Sequence, residues 1–156
     1  MSRSGGLYVG ELSGVDGSAL LLEALELFPG ARVELAGSGP EHAQRRAPAM
    51  ARAAYLVIPR AHDDSARILV EAFASGLPVV AADEGACAEL VEPWRNGLLF
   101  EPGSARELAR RLAWAEAFPE RMRQMGECAR ADYRARFVGH WSYPRLFGER
   151  RRAVRA

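Results

Sequence analysis

Residues 54–83 read AYLVIPRAHDDSARILVEAFASGLPVVAAD, and their order of residue types spells strand, loop, helix, strand. Ala54-Tyr55-Leu56-Val57-Ile58 is an apolar run without alternation, as expected of a strand buried on both faces of a parallel sheet. Pro59 ends it and a polar loop follows, in which Asp64 or Ser65 can cap a helix. Ile68, Leu69, Ala72 and Phe73 then recur three and four apart, the spacing of one helix face. Gly76 stops the helix, and Pro78-Val79-Val80-Ala81-Ala82 is the next buried run. Open α/β sheets place ligands at loop-to-helix junctions beyond the carboxyl ends of their strands. A site is therefore expected between Arg60 and Glu71.

Outward from this stretch the same alternation continues. Leu7-Tyr8-Val9-Gly10 reads as a strand, and Asp16-Gly17-Ser18 starts a helix with Leu20, Leu21, Ala24, Leu25, Leu27 and Phe28 on its apolar face. Arg32 to Ala36 is a second strand, closed by the turn Gly37-Ser38-Gly39-Pro40. Residues 41–53 look helical, with Pro48 expected to kink or divide them. Beyond the central unit, Ala86 to Val91 gives a short helix, and Asn96-Gly97 turns into the strand Leu98-Leu99-Phe100. Ser104-Ala105-Arg106-Glu107 spells a capping box, in which hydroxyl and carboxylate each satisfy the other's end of the turn. Pro119 separates that helix from a further helical stretch over 120–137. Strands alternating with helices throughout predict an α/β fold, a Rossmann-like parallel sheet with helices on both faces. We read residues 1–137 as this domain and 138–156 as a basic and aromatic tail helix.

With 156 residues, 49% of them hydrophobic, the chain can bury a sizeable core. Its net charge is +1, unevenly spread: residues 105–156 carry 13 arginines against 6 acids, and residues 1–104 carry 8 against 14. There is no lysine, which rules out Schiff-base and P-loop lysine chemistry. Cys87 and Cys128 are far apart and lack metal-ligand spacing, so we expect reduced thiols, no metal and no cofactor. No signal-like start and no bilayer-length apolar run is visible, and a cytoplasmic location is expected. Nothing in the charge pattern asks for nucleic acid. The Arg150-Arg151-Arg152 run reads as a solvated helix face, with a membrane surface or partner as the minority reading.

The quoted segments, in this order, resemble the carboxyl-terminal, nucleotide-sugar-binding half of retaining glycosyltransferases of the GT-B fold, the family-four group. The similarity runs through Leu7–Gly10 with Leu20–Ala24, Ala36-Gly37-Ser38-Gly39-Pro40, Glu71–Ala81, Glu89-Leu90-Val91 and Asn96–Leu99. That family carries two acids separated by seven residues. Carried over, the resemblance implies that Glu71 accepts hydrogen bonds from the ribose hydroxyls and that Asp63 lies near the donor sugar. The amides between them, at Ser65, Ala66 and Arg67, would face the phosphates, with Gly37 in the turn beside them. A carboxylate suits a diol because it offers several acceptor sites in one plane. A helix N-terminus favours anionic phosphate.

The sequence also departs from the family. Two cations that neutralise the pyrophosphate correspond to Glu11 and Asp16, and Ser65-Ala66 replaces a Phe-Gly pair. The link from Pro40 to Ala54 is short by about a strand and a helix, and no counterpart of the acceptor-binding half is seen. Arg60, His62 and Arg67 flank the acids; they can supply the missing positive charge, or be exposed groups of an arginine-only chain. Asp63-Asp64 suits sugar binding and loop solvation equally. The resemblance implies a domain that binds a nucleotide-sugar and transfers the sugar with a separate acceptor-binding domain or chain. The alternative is a degenerate half, no longer catalytic, acting as an interaction or regulatory subunit. No residue is assigned a catalytic role. Trp141, Tyr143, Leu146, Phe147 and Val154 make the tail a candidate for partner binding or self-association.

Overall fold

The computed structural model describes residues 2–11 and 17–137. Five strands form one parallel sheet: β1 (Gly6–Val9), β2 (Val33–Ala36), β3 (Tyr55–Ile58), β4 (Val79–Ala82) and β5 (Gly97–Phe100), in the order β2-β1-β3-β4-β5. The expected pairing of the two central runs is present, with Leu56 opposite Val79 and Ile58 opposite Ala81. Strands β1, β3 and β4 are buried at every position, as their unbroken apolar runs require.

Helices α1 (Ser18–Leu27), α2 (Ala43–Arg52), α3 (Ser65–Ala74), α4 (Gly85–Leu90), α5 (Ala105–Ala117) and α6 (Pro119–Phe137) fill the connections. Right-handed crossovers decide which face each one covers. The step from β1 to β2 runs one way along the sheet, and the steps β2–β3, β3–β4 and β4–β5 run the other. So α1 lies on one face with α5, where Leu21 and Ala24 pack with Leu108 and Leu112 around Tyr8, Val57 and Val80. On the other, Met50 of α2, Leu69 and Phe73 of α3 and Cys87 and Leu90 of α4 cover Leu7, Leu56 and Val79. Helix α6 serves both cores: Met122 and Met125 join the first, Ala129 the second. Gly126 lets it approach closely, since a Cβ there would lie 2.2 Å from the Gly76 carbonyl oxygen.

Several local expectations are modified. Helix α2 runs undivided through Pro48, because Pro48 and Gln44 both lie on its solvent side and the carbonyl left unbonded can be hydrated. Neither Asp64 nor Ser65 caps α3 through its side chain; Ser65 Oγ instead accepts from the His62 amide at 2.9 Å, closing the loop before the helix. The capping box is half formed. Ser104 Oγ accepts from the Glu107 amide, but Glu107 Oε1 accepts from the Glu101 amide, not from Ser104. The tail, residues 138–156, and Asp16 lie outside the described residues.

Candidate functional site at the carboxyl edge

With this strand order the sheet switches direction between β1 and β3, and such a switch point opens a crevice above the carboxyl ends of the strands. Gly17 shapes one wall. It precedes α1 with φ +93°, and a Cβ there would lie 2.9 Å from both Pro59 Cβ and Arg60 Cβ, so the start of α1 rests on the loop after β3. The cleft above it, about 470 Å³, is lined by Gly17, Leu20, Glu23, Arg60, Glu84 and Gly103 among others. Glu84 Oε2 accepts from the Ala61 amide at 2.8 Å, joining the loops after β3 and β4. Of the predicted residues, only Arg60 stands in this wall, in a lining that also holds Glu23 and Glu84.

A second group lies on the α2–α3 side, and its centre is a residue that sequence reading did not single out. Arg46 is 1% exposed and is among the largest fully buried side chains. Its Nε and Nη2 donate to Glu71 Oε1 and Oε2 at 3.1 and 3.2 Å, a bidentate pair. Its Nη1 donates to the carbonyls of Gly37 and Gly39, each at 2.9 Å. Arg67, one turn before Glu71, donates through Nη1 to Glu71 Oε2 at 2.9 Å and through Nη2 to the Ser38 carbonyl at 2.8 Å. Three successive carbonyls of the turn after β2 thus face two guanidinium groups, and both converge on one carboxylate. The signal for Arg46 was present: with Ala49, Met50 and Ala53 it completes an apolar stripe at 0, 3, 4 and 7, where an arginine is out of place.

Gly37, Arg67 and Glu71 are therefore together, while Arg60 stands apart in the cleft. Asp63 is exposed in the loop, Ser65 is fully buried as its lock, and Ala66 is half-buried at the start of α3. Glu11 is exposed just beyond β1.

Elsewhere, no group of three metal-ligating side chains occurs among the described residues, and none of their helices is long and apolar enough to cross a membrane. Burial pushes the Cys87 thiol up to about 12, so it stays protonated and inert. A wider hollow at the amino edge, about 760 Å³, has a wall where Tyr55 donates to Glu116 at 2.6 Å. Beside it Arg3 donates to the carbonyls of Met50, Ala53 and Ser75, closing the ends of α2 and α3.

A family model described as glycosyl transferases group 1 matches residues 49–132. No curated protein matches the chain by sequence. Among solved structures, the sucrose-phosphate synthase tll1590 of Thermosynechococcus elongatus superposes with a TM-score of 0.73 at 23% identity, over 99% of this chain and 45% of that one. Alr3699/HepE of Anabaena, solved in complex with UDP, gives 0.72 at 22% identity over 99% and 48%. The C-terminal domain of the group 1 family protein LpcC of Francisella tularensis gives 0.67 at 18%, over 90% and 89%. The chain thus spans about half the length of the first two and most of the third, an isolated domain.

Proposed function

Because this chain belongs to the glycosyl transferases group 1 family, we propose that it is the donor-binding half of a retaining, family-four glycosyltransferase of the GT-B fold. It binds a nucleotide-sugar at the carboxyl edge of its sheet and transfers the sugar together with an acceptor-binding domain or chain. The observation that carries this reading is the carboxylate of Glu71, held beside the glycine turn after β2 and 34% exposed. In that position it can receive ribose hydroxyls, while the base lies along the Gly37–Gly39 turn and the phosphates lie toward Asp63, Ser65, Ala66 and Arg60. The UDP in the Anabaena structure supports a uridine nucleotide as the first ligand to try.

Calorimetry with UDP and UDP-glucose tests this directly. We expect binding by the whole chain and a loss of about 1–3 kcal/mol in Glu71→Ala, the scale of one charged acceptor. An unchanged affinity in that variant would move the ligand elsewhere.

One observation favours the second reading, a half that binds but no longer transfers. Glu11 stands at the end of β1 and Glu23 and Glu84 line the cleft, with Arg60 the cation among its named lining residues. Carboxylates beside a diphosphate oppose its binding. Glu11→Arg should then tighten UDP.

A further inference from the structure

The two arginines on Glu71 differ in burial and in what each would lose by letting go. A carboxylate has about four lone-pair sites. Three are taken, one on Oε1 by Arg46 and two on Oε2 by Arg46 and Arg67. One site is left, and a vicinal diol gripped by both its hydroxyls needs two. A donor already in place has to leave before the diol can be held that way.

Burial decides which. Arg46 uses Nε, Nη1 and Nη2 in four hydrogen bonds and is 1% exposed. Releasing the carboxylate would strand a guanidinium charge away from water and loosen the Gly37–Gly39 turn that the same group holds. Arg67 is 38% exposed, and its other partners are the Ser38 carbonyl and, at 3.6 Å, Asp64. It can swing into solvent with its charge hydrated and Asp64 still within reach.

We propose that Arg67 is an exchangeable latch on the ribose-binding carboxylate, and that Arg46 is the fixed positioning residue that holds this carboxylate in place. This inference rests on the nucleotide reading above. The ligand class that opens the latch is a cis-diol; a nucleotide without the diol leaves it closed. The latch fills one of the acceptor sites of Glu71 that Arg46 leaves open, and it sets a competition that every diol must win. The two arginines therefore act in opposite directions on the same ligand, although both contact the same carboxylate.

The experiment is calorimetry on the whole chain with UDP and with its 2′,3′-dideoxy analogue, for wild type, Arg67→Ala and Arg46→Lys, with thermal melting of each free protein. Arg67→Ala should bind UDP about tenfold more tightly, the scale of one charged hydrogen bond, and the dideoxy analogue no better. Arg46→Lys, which keeps the charge but not the fork, should bind UDP about tenfold more weakly and narrow its advantage over the analogue. A merely structural role for Arg46 would shift the melting temperature without touching the ratio of the two affinities. Weaker UDP binding by Arg67→Ala would overturn the latch and make Arg67 a ligand contact. Equal binding of UDP and its analogue by wild type would also overturn it, yet leave the nucleotide reading standing. Failure of both ligands to bind all three proteins would overturn both. Arg67→Ala is a surface change, so the test survives even if Arg46→Lys does not fold.

Discussion

Glu71 was legible in the sequence because its motif is local: an acid on a helix, eight residues after another acid, followed by Ala72 to Pro78. Arg46 carried a weaker signal, its place in the apolar stripe with Ala49, Met50 and Ala53, because its partners are distant in sequence and the residues around it, Gln44, Arg45 and Ala47, read as a solvated helix. Its place in that stripe, and the burial that goes with it, distinguish it from its neighbour Arg45. Replacing Arg46 by Met should destabilise the chain by about 2–3 kcal/mol, since the hydrogen bonds to the Gly37–Gly39 turn go and Glu71 keeps Arg67 alone. Urea unfolding measures this, and Arg45→Met should be nearly silent as its control. Gly126 is another single-residue constraint. Its Cβ-free approach to the Gly76 carbonyl means that Gly126→Ala must push α6 outward, at a cost of about 1–3 kcal/mol by the same measurement.

Among the elements, apolar runs and helix periods gave all five strands and six helices to within about two residues, because burial on two faces leaves little freedom of pattern. Side-chain partners at the helix ends were harder to anticipate. Capping motifs state which groups can pair, and the structure chooses by geometry, as Glu107 did in reaching Glu101. The junction of α6 with the loop before β5 shows the same point with a charge. Buried Asn96 donates to Asp132 at 2.9 Å, and Arg95 donates to the same carboxylate at 2.8 Å. Burial alone would raise the Asp132 pKa; the hydrogen bonds from Arg95 and Asn96, with the charges of Arg95 and Arg136, outweigh it and hold the carboxyl below its usual range. A depressed pKa stabilises the fold fully above the unfolded value, near pH 4, and that stability is lost as pH falls through the folded value. Asp132→Asn should therefore be less stable at neutral pH and lose less stability than wild type between about pH 4 and pH 2. Melting curves across that range decide it; parallel curves for the two proteins would assign the acid sensitivity to another carboxyl.

At the scale of the molecule, the excess of arginine in residues 105–156 includes the part of α6 that bonds to Glu92, Glu120 and Glu127. Two of those arginines, Arg123 and Arg136, are thus paired with carboxylates of the domain. The arginines beyond residue 137 lie outside the described residues, and the sequence suggests them for a partner surface. We expect sedimentation of the whole chain to show self-association that is lost when residues 138–156 are removed; a monomer in both cases would end that reading. Which face each helix covers follows from strand order at a fixed crossover hand, but the parallel sheet with helices on both faces was legible from the alternation of strands and helices. The split of the predicted site into a cleft with Arg60 and a clasp around Glu71 was not, since α1 and α3 lie on opposite faces of the sheet.

Helix α6 reaches both cores, and this bears on how the chain is made. Met122, Met125 and Ala129 come late in synthesis, and α3, against which α6 packs, is finished some fifty residues earlier. Until α6 emerges from the ribosome, the strands can pair but both apolar layers stay open along the amino edge. A nascent chain halted near Ala117 should then be held by chaperones and cut readily by protease, and one halted well past Phe137 should resist, because α6 closes two layers at once.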